Sequence, residues 1–508
     1  MIDHIVNGIM TAFTLPNLLA AFLGTFAGII FGALPGFTPS MGIAVLIPFT
    51  YAMDTTSSLI LLAAVYCGAF YGGSISAILV NTPGTPAAAA TAIDGFKMTQ
   101  QGRAKEALHE AVIASFWGGI ISCIALLFLS PVIAQFSLKF GAAEKFMLAI
   151  FGLTIIATLS TGSILKGLMG GVFGLTLALI GTDPIVGLPR FIFKVPELLT
   201  GVSLVPALIG LYSVPQIMTM VSSNQKSIVH REKVKEVGNQ RFSFKDLIRY
   251  PIAYIRSALI GIVIGIIPGP GGNTASWLAY NQGKIFSKHP EGFGNGAREA
   301  IANTEAANNA VTGGSLIPML TLGIPGNAIA AVLMGALMIK GLAPGPTLFQ
   351  TKAGITYAFI IGIFIANLFM LLIGLVGARH FSVVALVPSN ILAACVAVLC
   401  VIGSYAVKQS FVDVIIMIVF GALGFFLKKF SFDSTPVVLG LILGSMAEQT
   451  LGQAKLIYKS YAGVGVALVT RPICIVLILI CVASVVVPYV QEKLRAKKKA
   501  ASVDSQTK

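Results

Sequence analysis

Four long apolar runs of this chain are each interrupted by a Pro-Gly pair, at Pro35-Gly36, Pro83-Gly84, Pro268-Gly269 and Pro325-Gly326. Proline removes a backbone donor and glycine admits backbone angles that other residues avoid, so an otherwise helical run must open at each pair. The runs belong to a membrane protein: of 508 residues 56% are hydrophobic and only 10% charged, with a mean hydropathy of +0.89. Ordinary soluble domains carry roughly a quarter charged residues. In lipid, an opened helix survives only where its bare amides and carbonyls are buried in protein or line a wet cavity. Matching breaks in two halves of one chain point to a transporter binding site. The expected fold is an all-α polytopic membrane protein of roughly 12 transmembrane segments, built as an inverted internal repeat with re-entrant or broken helical hairpins.

The formal net charge of +15 would suit a nucleic-acid partner in a soluble protein. Here the basic residues sit in loops, where they set membrane orientation, and no nucleic-acid partner is expected. Cys67, Cys123, Cys395, Cys400, Cys474 and Cys481 lie within apolar runs, lack metal-ligand spacing and read as packing residues, so no transition-metal site is expected. Met1-Ile2-Asp3-His4 supplies no basic n-region and no cleavage site follows, so the first apolar run is expected to stay as a membrane segment.

The order of features repeats. Residues 1–221 form a first membrane repeat with breaks at Pro35 and Pro83; residues 222–250 form a basic linker with seven Lys/Arg against three acids, placed in the cytoplasm. Residues 251–380 form a second repeat with breaks at Pro268 and Pro325, 381–490 hold further transmembrane helices, and 491–508 form a basic cytoplasmic tail. Gly72-Gly73-Ser74 precedes Pro83 by eight residues and Gly313-Gly314-Ser315 precedes Pro325 by nine, which favours duplication over coincidence. In the first half the basic loop, with Lys97, Arg103 and Lys105, follows the second break. In the second half Lys284, Lys288 and Arg298 lie between the breaks, although Lys340 and Lys352 also follow the last one. A basic loop that changes place is what two copies of opposite topology should show. Each first break is then a re-entrant hairpin and the N-terminus is periplasmic.

The residues around these breaks resemble a known family. Gly32-Ala33-Leu34-Pro35-Gly36, Tyr71-Gly72-Gly73-Ser74-Ile75-Ser76-Ala77-Ile78-Leu79, Pro83-Gly84-Thr85-Pro86, Thr91-Ala92-Ile93-Asp94-Gly95, Ile267-Pro268-Gly269, Glu305-Ala306-Ala307-Asn308-Asn309-Ala310, Leu320-Thr321-Leu322-Gly323-Ile324-Pro325-Gly326 and Gly341-Leu342-Ala343-Pro344-Gly345-Pro346 are similar to the large membrane subunit, TctA, of the tripartite tricarboxylate transporters. The resemblance runs over essentially the whole chain. It implies a bacterial inner-membrane, sodium-coupled importer of a tricarboxylate or other carboxylate, with a small membrane subunit (TctB) and a periplasmic solute-binding protein (TctC) as partners, Na⁺ as coupling ion and no cofactor. Lys340, and Pro270 with Asn273, depart from the family pattern near the proposed site, so the class is implied but not which carboxylate.

The physics of the breaks agrees. A half-helix starting after Pro83 or Pro325 aims unpaired N–H groups and a positive dipole end into the break, which suits a carboxylate. Carbonyls freed on the other arm suit Na⁺. The substrate-binding candidates are Ser74, Asn81, Thr82, Gly84 and Thr85, and Ser315, Thr321, Gly326 and Asn327; the ion-binding candidates are Gly36, Thr38, Gly269, Gly271, Asn273, Thr274 and Glu305, with Ser40 beside them. Against this stands the plain reading that hydroxyls in membrane helices bond their own backbone and glycines serve close packing. Glu305 is open between ion binding and a pair with Arg298. Asp94, before a glycine, reads as a turn residue, and Asp183 as a partner of Arg190.

Other classes find little support. His109-Glu110 is followed by Ile113 where a zinc protease needs a second histidine, and neither a Gly-x-Ser-x-Gly elbow nor a Walker loop occurs, so enzymatic and ATP-driven chemistry have no foothold. The alternatives that remain are a channel and a carboxylate carrier working without a binding protein. The topology has a direct test: cysteines replacing Asp3 and Ala500 should label from opposite faces of intact cells, and labelling of both from one face would overturn the inversion.

Overall fold

The computed structural model describes residues 2–34, 36–159, 164–222, 243–384, 389–459, 463–484 and 486; Pro35, most of the basic linker and the basic tail lie outside them. The chain first lays down α1 (Ile2–Ala12), α2 (Leu15–Ala33), α3 (Pro39–Leu46), α4 (Thr55–Val80), α5 (Ala89–Gln100) and α6 (Ala104–Ser137). Next come α7 (Ala142–Leu159), α8 (Ile164–Ala178), a pair of two-residue antiparallel strands at Gly181–Thr182 and Pro189–Arg190, and α9 (Leu204–Ser222). The second half follows with α10 (Pro251–Ile266), α11 (Gly271–Phe286), α12 (Arg298–Leu322), α13 (Ala328–Ile339), α14 (Leu348–Thr351) and α15 (Ala353–Val384). Then come α16 (Ser389–Lys408), α17 (Phe411–Lys429), α18 (Ser434–Ile457) and α19 (Val464–Thr470), followed by a helical stretch at Pro472–Ser484.

Among the described residues seven helices are long and apolar enough to cross a membrane, or eight with the pair Val464–Thr470 and Pro472–Ser484, bent by 83°. That is fewer than a dozen for a physical reason. The breaks shorten α10 to 16 residues and α13 to 12. α12 is long but polar, and its Asn303, Thr304, Glu305, Asn308, Asn309, Thr312 and Ser315 are all fully buried. Around such helices the outward faces are apolar: Leu15, Leu19, Phe22, Leu23 and Phe26 of α2, and Ile124, Phe128, Val132 and Phe136 of α6, are exposed. Polar groups inside and hydrocarbon outside is the arrangement a bilayer imposes.

The chain divides into two compact units: residues 1–137 with 205–425, and 138–204 with 426–508. In the smaller unit α8 packs on α18, with Gly174 against the Val437 carbonyl and Gly440 against Gly171 and Gly174. Arg190 pairs with Asp183 at 3.2 Å, as the sequence indicates, and with Glu448 at 2.5 Å; Arg471 pairs with Glu144 and Tyr458.

The larger unit holds all four breaks. Asp54 caps α4, its carboxylate accepting from the Thr56 and Ser57 amides at 2.9 and 3.0 Å, and Thr38 caps α3. α2 lies along α4, held close by Gly24, Gly28 and Gly32 against Leu61, Val65 and Ala69; α10 lies along α12 with Gly261 and Gly265 against Ala307 and Gly314. In both places a missing Cβ lets backbones touch. Asn17 of α2 accepts from Ser57 at the start of α4 at 2.6 Å, so α2, the break and α3 return the chain to the end it left. Likewise Asn303 at the start of α12 accepts from Ser257 of α10 at 2.9 Å and lies opposite Gly283 near the end of α11.

Separate contacts tie the loops around the two hairpins. Lys340, after α13, donates to the Thr50 and Met53 carbonyls at 2.6 and 3.0 Å, beside the start of α4; it closes that end and stands apart from the site the sequence associated it with. At the other end Gln101 donates to the Asn295 carbonyl at 2.9 Å, which joins the loop after α5 to the loop between α11 and α12. Asp94 lies inside α5 and is no turn residue. Its carboxylate accepts from the Gly294, Gly296 and Ala297 amides at 2.8–3.0 Å and from the Tyr280 hydroxyl at 2.9 Å, locking that same loop. Arg298 does not reach for Glu305. It binds Glu110 at 2.5 Å, Asp246 at 3.2 Å and Glu106 at 3.6 Å, while Tyr254 donates to Glu110 at 2.6 Å.

Two predictions follow from this packing. Arg298→Ala would strand the fully buried Glu110, which for a broken buried pair costs about 3–5 kcal/mol; thermal unfolding in detergent should show it as a large fall in midpoint. Gly84→Ala and Gly326→Ala would drive a Cβ onto the Gly32 and Gly265 carbonyls. Each should lose about 1–3 kcal/mol by overpacking, whereas Gly354→Ala, with nothing within 4 Å of the new atom, should not.

Candidate functional site

The breaks do not lie apart; each half folds its own two together. The Gly84 amide donates to the Gly73 carbonyl at 3.1 Å, and the Gly326 amide donates to the Ser315 carbonyl at 3.3 Å. Gly84 abuts the Gly32 carbonyl at the end of α2, and Gly326 abuts the Gly265 carbonyl near the end of α10. The Gly269 amide adds a bond to the Gly326 carbonyl at 2.9 Å. A Gly-Gly-Ser segment without side-chain bulk is what permits a second broken helix to approach so closely. Gly36, Gly269 and Gly271, with φ of 82°, 112° and 60°, sit at the turns where the left-handed region requires glycine.

α4 and α12 then run side by side in opposite directions. Tyr66 of α4 meets Ser315 of α12, hydroxyl to hydroxyl at 2.9 Å, and four residues on the Phe70 carbonyl accepts from Asn308 Nδ2 at 3.4 Å. One turn further Ser74 faces the Glu305 carboxylate. Asn327 completes the first of these contacts: its Nδ2 donates to Tyr66 Oη at 2.7 Å, while its Oδ1 accepts from the Ala330 amide at 2.8 Å and caps α13. The site therefore draws on both halves.

Glu305 is fully buried and held by hydroxyls: Thr91 of α5 donates to it, and Ser115 of α6 does so at 3.1 Å. Among the described residues no lysine or arginine pairs with it. Nearby, Ser74 Oγ, Thr85 Oγ1 and Asn308 Oδ1 are buried and make no hydrogen bond of ordinary length and angle. Native proteins satisfy nearly all such atoms; Ser74 and Asn308 also face the Glu305 carboxylate, and Thr85 lies against Gly73.

Of the sequence candidates, the fold sets Ser315, Gly326 and Asn327 together beside Tyr66 and, eight residues further along α4, sets Ser74 beside Glu305, with Gly84 and Thr85 against Gly73. Gly269 joins the first of these groups through its bond to Gly326. Thr321 stays out, its hydroxyl donating to the Ile317 carbonyl of its own helix at 2.7 Å. Thr38 is occupied capping α3. Asn81 and Thr82 are exposed at the end of α4, where Asn81 takes a left-handed φ of 55°, and Asn273 and Thr274 are exposed on the first turn of α11. Sequence reading missed Tyr66, Thr91 and Ser115. Each is a lone polar residue in an apolar run, and only the packing of α4, α5 and α6 on α12 distinguishes it from a helix-bonded hydroxyl.

Comparison with known proteins gives the family. A family model described as "Tripartite tricarboxylate transporter TctA family" matches residues 18–439. An Agrobacterium vitis protein described as "Uncharacterized 52.8 kDa protein in TAR-I ttuC' 3'region" is 36% identical over 496 residues, 97% of this chain and 98% of its own length. A second protein of that organism, "Uncharacterized protein in TAR-II ttuC' 3'region", is 33% identical over 236 residues, 46% of this chain and 96% of its own length. No solved structure matches. A helical multi-pass membrane protein whose breaks meet in two ordered pairs, and whose residues 18–439 match that model, belongs to the tripartite tricarboxylate transporter TctA family.

Proposed function

We propose that this chain is the large subunit of a sodium-coupled, binding-protein-dependent importer of a carboxylate in the bacterial inner membrane, working by alternating access between two inverted repeats. A TctB-like membrane subunit and a TctC-like periplasmic protein assist it, the latter delivering the substrate. The single observation carrying this reading is the meeting of α4 and α12 in opposite directions, with Tyr66, Ser315 and Asn327 from both halves bonded at the breaks.

Three features support inversion. The hairpin of α2 and α3 opens to the end where Lys340 binds residues 47–54, whereas that of α10 and α11 opens to the end where Gln101 meets Asn295. The basic loops with Lys97, Arg103 and Lys105, and with Lys284, Lys288 and Arg298, share this second end, as does Asp246 at the end of the linker. By the positive-inside rule that end is cytoplasmic. His4 stacks on Tyr357 near the start of α15, with ring centroids 6.3 Å apart, and so belongs to the opposite, periplasmic end.

The substrate carboxylate is placed at the N-terminal ends of the helices after Pro83 and Pro325. Asn327 already caps α13, but the short turn Pro86–Ala88 before α5 has no side-chain cap. The first copy thus has no side chain in the place that Asn327 fills in the second, and its dipole end suits an anion.

Counterflow in proteoliposomes holding this chain with both partner subunits tests the reading. Labelled external carboxylate should accumulate against unlabelled internal carboxylate and require Na⁺, whereas saturating conductance without exchange would make the protein a channel. Asn327→Ala should raise the half-saturating substrate or Na⁺ concentration by about fivefold, the equivalent of one hydrogen bond of about 1 kcal/mol, with insertion unchanged. Unaltered transport in Asn327→Ala and in Asn81→Ala would remove both side chains from the site.

A further inference from the structure

We infer that Glu305, Asn308, Ser74 and Thr85 form a site for one dehydrated monovalent cation, and that the related place in the second half is closed to a cation by the Tyr66 hydroxyl. This rests on the sodium-coupled reading above and assigns the ion a position. The argument begins with the duplication. Ser74 corresponds to Ser315 through the Gly-Gly-Ser motifs, and Thr85 to Asn327 through Gly84 and Gly326. In the second half Ser315 and Asn327 are both bonded to Tyr66 Oη, at 2.9 and 2.7 Å. Tyr66 lies eight residues before Ser74; the residue eight before Ser315 is Ala307. In the first half, therefore, no tyrosine hydroxyl arrives from the opposing helix; Ser74 meets the Glu305 carboxylate instead, and Thr85 Oγ1 is buried without a hydrogen bond.

What arrives instead is an acceptor and a charge. Asn308, next in sequence to Ala307, turns its Nδ2 to the Phe70 carbonyl and leaves Oδ1 buried without a donor. Glu305, one turn earlier on the same face of α12, faces both Ser74 and Asn308. Two glycines border these groups. A Cβ at Gly272 would lie 2.9 Å from the Phe70 ring, 3.0 Å from Ala87 and 3.0 Å from Asn308 Oδ1, and a Cβ at Gly73 would lie 2.7 Å from Thr85 Oγ1.

The donor set decides the ligand. A carboxylate and an amide oxygen only accept, so Glu305 and Asn308 draw a cation and leave the anion to the N-terminal end of the Pro86–Ala88 turn, and two hydroxyls can turn their lone pairs inward. All-oxygen donors select a hard cation over a transition metal. One carboxylate among apolar helices matches a single positive charge; a divalent ion would leave an uncompensated charge in surroundings where that is expensive. Water would satisfy the orphan atoms and leave the carboxylate unneutralised. Because the ligands come from α4, the break after it and α12, the ion ties the first half's break to the second half's helix.

The test uses the purified full chain in lipid nanodiscs, with thermal unfolding followed while NaCl replaces choline chloride at constant ionic strength. The wild-type midpoint should rise saturably with Na⁺. Ser74→Ala, Asn308→Ala and the near-isosteric Thr85→Val should each raise the half-saturating Na⁺ at least tenfold, Glu305→Gln should abolish the response, and Thr85→Ser should restore it to within threefold of wild type. A half-saturation unchanged in all of Ser74→Ala, Asn308→Ala and Thr85→Val would overturn the position while leaving sodium-coupled uptake in place. A wild-type midpoint that answers to pH but not to Na⁺ would overturn the position in favour of a protonated Glu305. Counterflow unaffected by Na⁺ would show that the coupling itself is wrong.

Discussion

The larger unit depends on one kind of contact: a break glycine set directly against a helix-end carbonyl. Gly84 on Gly32 and Gly326 on Gly265 are its two instances. An opened helix in a membrane has amides and carbonyls that water cannot reach, and they must be met from within the protein. Here the second break of each half donates back into its own Gly-Gly-Ser segment, through the bonds from Gly84 to Gly73 and from Gly326 to Ser315. Any side chain at these points would separate the backbones and leave those groups unpaired. The close approach also sets the distance between α4 and its hairpin partner α2, and between α12 and α10.

Polar chemistry is distributed around that contact by position. At one end Arg298 gathers Glu106, Glu110 and Asp246, tying α6, α12 and the end of the linker together. Burial pushes the Asp246 carboxyl up, but the Ser243 amide, Arg298 and Arg249 outweigh it and hold the carboxyl below its usual range. A depressed folded-state value means that this contribution is present above the ordinary Asp range and is lost as pH falls through the depressed value. Asp94 performs the matching task for the loop between α11 and α12. Glu305 differs from these acids in kind. It is held by hydroxyl donors, and among the described residues no lysine or arginine pairs with it.

Much of this was legible beforehand because it rests on local covalent properties. Pro-Gly pairs open helices wherever they occur, so the breaks, their pairing order and the glycine turns at Gly36, Gly269 and Gly271 could be read directly. The pairing of Arg298 could not, since Glu110 is 188 positions away in sequence and Glu305 only two turns along the same helix. The same limit hid Tyr66, which in sequence is one more aromatic in an apolar run.

By itself, then, the sequence determined the membrane class, the helical architecture, the four openings and the family, because hydropathy, proline and glycine act on the chain locally. Tertiary structure alone decided which side chains share the openings. Antiparallel packing of α4 on α12 gives the second half's Ser315 and Asn327 a tyrosine hydroxyl, and sets the first half's Ser74 beside a buried carboxylate. Two motifs nearly identical in sequence thereby acquire different chemistry, since each is completed by residues from the opposite half and those residues are not the same.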